Sequence, residues 1–200
     1  MNGTTVILAS GNFPRKGGRA REILDVAQRV VCCDSSADAY RRHCRREPFV
    51  VIGDCDSVRG TFKNIVRIEE QDTNDLTKAI KYCKYNGFEN LVVLGAFGKR
   101  EDHSIGNIFR ALDFGVDVVT DYGRFCCLEG DGEYPAAIGD AVSVFAADRD
   151  TRMTSKGLEW PLDDVVFDNL YCATLNRASS TKIILHATKR VYIYFPFKCK

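Results

Sequence analysis

The chain has 200 residues, 45% of them hydrophobic, enough to bury one large core or two small ones and outside the range of disordered chains. Lys and Arg number 28 against 27 Asp and Glu, so the balance gives no electrostatic case for nucleic acid or an anionic membrane as partner. The first residues lack a basic, apolar leader pattern, and no apolar run approaches the roughly 20 residues that cross a bilayer; the expectation is a cytoplasmic protein.

In chain order, short apolar and β-branched runs alternate with helical patterns over the first 120 or so residues, which predicts a parallel sheet with crossover helices. Strands are expected at Thr5 to Ala9, Arg29 to Cys33, Phe49 to Ile52, Leu91 to Leu94 and Val116 to Thr120. Helices are expected at Gly18 to Ala27, Ala37 to Arg45, Leu76 to Asn86 and Ser104 to Phe114, with Gly87 and Gly115 in the capping position after the last two. From about Gly123 the texture turns to short β-rich pieces, clearest at Ala141 to Ala147, Ile183 to Ala187 and Val191 to Phe195, which predicts an all-β sandwich or partial barrel. The expected division is an α/β unit over residues 1–122 and a β unit over 123–200. The nine cysteines are odd in number, include no Cys-x-x-Cys and fall partly in adjacent apolar pairs, so they read as reduced, buried small hydrophobes.

Ligands of parallel α/β sheets collect where the strands end at their carboxyl side. Phe49-Val-Val-Ile-Gly-Asp-Cys-Asp-Ser57 runs an apolar strand into carboxylates at i and i+2, Asp54 and Asp56, which project to one side of an extended backbone. The pair suits magnesium carrying substrate phosphates, or else terminates the strand in a turn that caps backbone amides. Gln71-Asp-Thr-Asn-Asp-Leu-Thr-Lys78 opens a helix, where Asp75 and Lys78 offer a metal ligand and a phosphate cation, or Asp72 or Thr73 simply caps it. Leu94-Gly-Ala-Phe-Gly-Lys-Arg-Glu-Asp-His103 is a glycine-rich strand-end loop; Lys99 and Arg100 can neutralise phosphate, and Asp102 with His103 adds acid–base capacity. Cys33-Asp-Ser-Ser-Ala-Asp38 presents Asp34 to a ribose or substrate hydroxyl. The P-loop and dinucleotide fingerprints are missing.

Taken together and in order, Asp34-Ser-Ser-Ala37, Gly53-Asp-Cys-Asp-Ser57, Gln71 to Lys78 and Gly95 to His103 resemble the thiamine pyrophosphokinases, whose segments read Gly-Asp-Phe-Asp-Ser, Asp-Gln-Asp-x-Thr-Asp-x-x-Lys and Gly-x-x-Gly-x-Arg-x-Asp-His. In the β-rich half, Thr154-Ser-Lys-Gly-Leu-Glu-Trp160 resembles the family's segment ending in Gly-Leu-x-Trp, and Leu175-Asn-Arg-Ala178 its Ser-Asn-rich segment. Cys55, Asn74 and Leu175 depart from the pattern, standing where the family has an aromatic, a Thr and a Ser.

The resemblance implies a Rossmann-like catalytic domain, a β-sandwich domain that binds thiamine, and a homodimer with active sites between the subunits. It implies Mg2+ on Asp54, Asp56 and Asp75, with ATP as co-substrate contacted by Asp34, Gln71, Lys78, Arg100 and His103. Thiamine would meet Asp34, Asn74, Asp102, Ser155, Trp160 and Asn176, and Asp56, Asp75, Arg100 and Asp102 would carry the catalysis. Two rival readings are a glycosyl- or nucleotidyl-transferase built on the Asp54 and Asp56 pair, and a non-catalytic thiamine- or nucleotide-binding regulator.

Overall fold

The structure is a computed structural model that describes residues 3–198. The chain divides into two compact units, Met1–Asp121 and Tyr122–Lys200. Together they make a mixed α/β fold with four helices among the described residues.

In the first unit the strands are β1 (Thr5–Leu8), β2 (Arg29–Cys33), β3 (Val50–Gly53), β4 (Ile65–Arg67), β5 (Leu91–Leu94) and β6 (Asp117–Val119). They lie in the order β6-β5-β1-β2-β3-β4, and every pairing is parallel. The central strands β1 and β3 are buried at every position. Val6, Ile7, Val31, Val51 and Ile52 are wholly buried, the composition expected of a strand covered on both faces. The helices are α1 (Arg19–Val26), α2 (Ser36–Cys44), α3 (Asp75–Tyr85) and α4 (Glu101–Asp113). Gly87 and Gly115 follow α3 and α4 in the left-handed conformation and donate their amides to Lys84 and Leu112, as glycine does past a helix end. The short edge strand β4 was not anticipated; only three residues of mixed burial mark it, too few for a periodicity. The sheet is built outward from β1 in one direction through β4 and then in the other through β5 and β6. The loops after β1 and β5 therefore leave in opposite directions and open a crevice at the carboxyl edge.

The second unit is antiparallel throughout. β7 (Gly123–Pro135) and β12 (Lys182–Pro196) form its long central pair, flanked by β8 (Ala141–Ala146), β9 (Arg152–Lys156), β10 (Val165–Val166) and β11 (Ala173–Arg177). The two predicted pieces Ile183 to Ala187 and Val191 to Phe195 are one strand: its register against β7 shifts between Ala187 and Val191, a bulge that bends the pair. On the near side of the bulge β12 pairs with β9, on the far side with β8, and β8 in turn pairs with β11. Alternate residues point inward, so that Val142, Val144, Met153, Phe167, Ile183, Leu185, Val191 and Ile193 pack as one buried cluster.

None of the described cysteines is in a disulfide; Cys32, Cys33, Cys55, Cys83 and Cys126 are buried, as expected of small hydrophobes. Only Cys172 is exposed among them. No helix among the described residues is long and apolar enough to cross a membrane.

Candidate active site

The crevice left by the reversal of strand order holds a cavity of about 390 Å³. Its floor is made by two loops that interlock: the Gly11 amide donates to the Gly95 carbonyl at 2.8 Å and the Asn12 amide to that of Phe97 at 2.7 Å. Gly98 must be glycine on two counts, since its φ is +86° and a Cβ there would stand 2.2 Å from the Asn12 side chain. Lys99 reaches across to donate to the Ser10 carbonyl. Ser10, Gly11 and Asn107 line the cavity and were missed in the sequence. A Ser-Gly-Asn run directly after the first apolar strand was the available signal for the first two. Asn107 lies about two turns inside α4, and its burial gave no local mark.

The carboxylates collect on one side of this crevice. Asp34 directly follows β2, Asp54 and Asp56 follow β3, and one carboxylate oxygen from each lies within 4.8 Å of the other two. Asp34 is buried, and its Oδ1 has no hydrogen-bond partner. Burial pushes the Asp34 carboxyl above its ordinary value; the Ser35 amide and Ser57 hydroxyl oppose that, and the charges of Asp54 and Asp56 add to it. Such a group of anions with a buried unpaired oxygen is unfavourable by itself and fits a hard divalent cation. By distance the carboxylate grouped with Asp54 and Asp56 is Asp34; Asp75, the third carboxylate of the expected set, is not in that group.

Asp75 stands close by. A Cβ at Gly53 would lie 3.0 Å from Asp75 Oδ1 and 3.3 Å from the Asp34 Cβ, so glycine lets α3 approach the strand end. Burial raises the Asp75 carboxyl and the Lys78 cation opposes it; Asp34 and Asp54 push it up further. Lys78 Nζ is 3.6 Å from Asp75 Oδ1 and its side chain is only 3% exposed, an ion pair formed one turn into the helix.

Helix α3 is capped by Asn74, and not by Asp72 or Thr73: Asn74 Oδ1 accepts from the Thr77 amide at 3.0 Å and from its hydroxyl at 2.7 Å. Asn74 Nδ2 donates to Asn107, whose own amide donates to the Ala96 carbonyl. The Asn74 side chain is therefore committed to tying α3 to α4. Asn74→Ala is expected to destabilise the protein by about 1 kcal/mol, measurable as a lowered denaturation midpoint. Ahead of the cap, Glu70 gathers the Asp72 and Thr73 amides into a turn that leaves Gln71 exposed on the cavity wall.

Arg100 and His103 also line the cavity. Arg100 is exposed and forks onto Asp102, with Nε at 3.1 Å and Nη2 at 2.5 Å from its two oxygens. This pairing holds the Asp102 carboxyl down at about 2, so the group is ionised at any ordinary pH.

In the second unit Trp160 is 54% exposed, which sets aside a core role. Its backbone is gripped by the buried Asn176, whose Oδ1 accepts from the Trp160 amide at 3.2 Å and whose Nδ2 donates to the Trp160 carbonyl at 2.7 Å. Ser155 Oγ accepts from the Leu162 amide. Asn176 and Ser155 are thus engaged within the unit, Asn176 as the support of the tryptophan loop. Ser155 borders a second cavity of about 420 Å³, where His186 Nδ1 is 2.8 Å from Asp131 Oδ1. Leu175 is 83% exposed.

A parallel sheet whose carboxyl edge carries grouped carboxylates, a buried lysine and an Arg and His beside one cavity defines an α/β protein with the charges that a phosphate-bearing ligand calls for. Residues 20–119 match the thiamin pyrophosphokinase catalytic domain, and residues 123–194 match the thiamin pyrophosphokinase substrate-binding domain. The chain belongs to the thiamin pyrophosphokinase family. It is 23% identical to thiamin pyrophosphokinase 1 of Caenorhabditis elegans over 193 residues, spanning 85% of this chain and 79% of that protein. It is 37% identical to thiamine pyrophosphokinase 1 of rice (Oryza sativa subsp. japonica) over 132 residues, 52% of this chain and 49% of that one. The crystal structure of thiamine pyrophosphokinase from Bacillus subtilis superposes with a TM-score of 0.77 at 14% identity, over 98% of this chain and 100% of that one.

Proposed function

We propose that this chain is a thiamine pyrophosphokinase, converting ATP and thiamine to AMP and thiamine diphosphate. The observation that carries the reading is the grouping of Asp34, Asp54 and Asp56 beside a cavity lined by Lys78, Arg100 and His103, within a chain matched over both units by that family. In the proposed division, residues 1–122 form a Rossmann-like catalytic domain and 123–200 a β-sandwich that receives thiamine. A homodimer with active sites between the subunits and a cytoplasmic location belong to the same proposal.

In this reaction the thiamine hydroxyl oxygen bonds to the β-phosphorus of ATP and gives up its proton, the bond from that phosphorus to the α,β-bridging oxygen breaks, and AMP leaves. Little covalent work falls to the protein; positioning and charge neutralisation decide the rate. Asp34, Asp54 and Asp56 are the residues that would hold Mg2+, with Asp75 as the adjoining carboxylate. When bound, the cation would neutralise charge on the triphosphate. Lys78, oriented by Asp75, and Arg100, oriented by Asp102, supply the protein's own cations to the phosphates. Gln71 and His103 offer hydrogen bonds on the cavity wall. Asp102 at a pKa of about 2 is too weak a base to take the hydroxyl proton efficiently and serves to hold Arg100.

Thiamine is cationic and aromatic, and the exposed Trp160 is a suitable stacking partner. Trp160→Ala is expected to raise the thiamine KM by about 2- to 30-fold, the equivalent of about 0.5–2 kcal/mol, with the ATP KM unchanged. An unaltered thiamine KM would remove Trp160 from the site. The activity itself is tested by incubating the protein with ATP, Mg2+ and thiamine: AMP and thiamine diphosphate are expected, and ADP as the nucleotide product contradicts the proposal. A nucleotide-sugar transferase would be stabilised by its donor and not by thiamine, and a regulator would bind without turnover.

A further inference from the structure

The acidic residues reach their places by unequal means. Asp34 directly follows β2, two residues before α2, with its amide bonded to the Ile52 carbonyl at 2.9 Å. Asp54 and Asp56 instead ride on the long connection from β3 to β4, residues 54–64, where Asp56 is exposed and only local contacts join it to Asp54 and Ser57. The far side of that connection is anchored by α2 and, at its last residue, by Asn64, whose Nδ2 donates to the Phe49 carbonyl at 2.9 Å.

Asp38 Oδ2 accepts from the Arg59 amide at 2.9 Å and Asp38 Oδ1 from the Gly60 amide at 3.0 Å. One helical turn on, Arg41 Nη2 donates to the Thr61 carbonyl at 2.5 Å and pairs with Glu47, while its guanidinium lies 3.9 Å above the ring of the buried Phe62. Gly60 is enclosed by the two: a Cβ there would meet Asp38 Oδ1 at 2.9 Å and Arg41 Nη1 at 3.0 Å. Four consecutive loop residues, 59 to 62, are thus held by two side chains of one helix.

We infer that Asp38 and Arg41 are positioning residues for the carboxylate group: the turn leading into α2 carries Asp34, the helix clasps the Asp54 and Asp56 loop, and together they set the spacing of all three. The inference rests on reading Asp34, Asp54 and Asp56 as a cation site, a reading to which the unpartnered buried oxygen of Asp34 points independently. Charge-assisted bonds to backbone amides are the stronger kind, and groups that fix the orientation of a metal's ligands commonly govern its affinity by 10-fold or more. Neither Asp38 nor Arg41 lines the cavity.

The test is Asp38→Ala, with Asp38→Asn as its conservative partner, measured by Mn2+ binding from the free-ion electron paramagnetic resonance signal without nucleotide, and by kinetics. Asp38→Ala is expected to weaken Mn2+ binding by about tenfold and to raise the Mg2+ concentration for half-maximal rate by a similar factor. Saturating Mg2+ restores kcat, and the thiamine KM stays within about twofold. Asn keeps one acceptor oxygen and falls between wild type and Ala. Mn2+ binding unchanged in folded Asp38→Ala overturns the positioning role. If that variant does not fold, Arg41→Lys decides, since it keeps the charge but loses the Nη2 bond to the Thr61 carbonyl and the stacking on Phe62: at least about threefold weaker Mn2+ binding supports the role, and unchanged binding overturns it. A wild-type protein that binds no Mn2+ removes the cation site itself, an outcome distinct from failure of the clasp.

Discussion

Asp56→Asn is expected to lower kcat/KM for thiamine diphosphate formation by at least about 10³-fold, equivalent to about 4 kcal/mol of transition-state stabilisation, while leaving the protein folded. The loss follows from the role of the group: the Asn side chain keeps the size and one acceptor oxygen but cannot supply negative charge to a divalent cation. The same substitution removes one of three like charges whose oxygens lie within 4.8 Å. The free variant is therefore expected to be slightly more thermostable than wild type, by about 1–2 °C because Asp56 is exposed and its repulsion is screened by solvent. Mg2+ raises the midpoint of wild type and has little effect on the variant. Paired activity and thermal-shift measurements check this. Near-normal turnover in Asp56→Asn removes the carboxylate group from the mechanism, and a lowered midpoint shows that Asp56 serves the fold.

Lys78→Met carries the second large effect, and it has two separable parts. Activity is expected to fall by about 10²–10³-fold through loss of a cation facing the triphosphate. Stability is expected to fall by about 1–2 kcal/mol, because Asp75 stays half-buried beside Asp34 and Asp54 with its neutralising partner gone. The figure lies below that of a fully buried pair because the Asp75 side chain is 31% exposed. Adding Asp75→Asn to Lys78→Met restores most of the stability and none of the activity, which separates the two roles. A Lys78→Met protein with unchanged ATP KM and kcat excludes contact with the nucleotide, whatever its midpoint.

Both predictions concern residues visible in the sequence, and the reason is local. Asp54 and Asp56 follow a wholly apolar strand, and Lys78 follows a cap and first turn, so chain order alone puts them at a sheet edge. Trp160 was selected by its Gly-Leu-x-Trp context, and its 54% exposure agrees with a surface role. Asn74, Ser155 and Asn176 were selected on the same footing, yet their side chains are engaged by Thr77 and Asn107, by Leu162, and by Trp160 respectively. Residue type and spacing say where a polar group stands and not which hydrogen bond it has already made. That depends on a partner up to 33 positions away, as with Asn74 and Asn107.

The sequence by itself determined the alternation of strands and helices in the first unit, the change to all-β structure near Gly123, and the loops where charge would gather. All of these follow from period, burial and turn chemistry within about ten residues. Only the tertiary structure decided that Asp34 joins Asp54 and Asp56 more closely than Asp75 does, that Ser10 and Gly11 share the cavity floor, that β12 is one bent strand serving two neighbours, and that α2 grips the loop beyond β3. Each of these is a distance between segments far apart in the chain, set by strand order and by the angle at which helices pack. No local pattern encodes such a distance, because the same residues in the same order would serve a different pairing equally well.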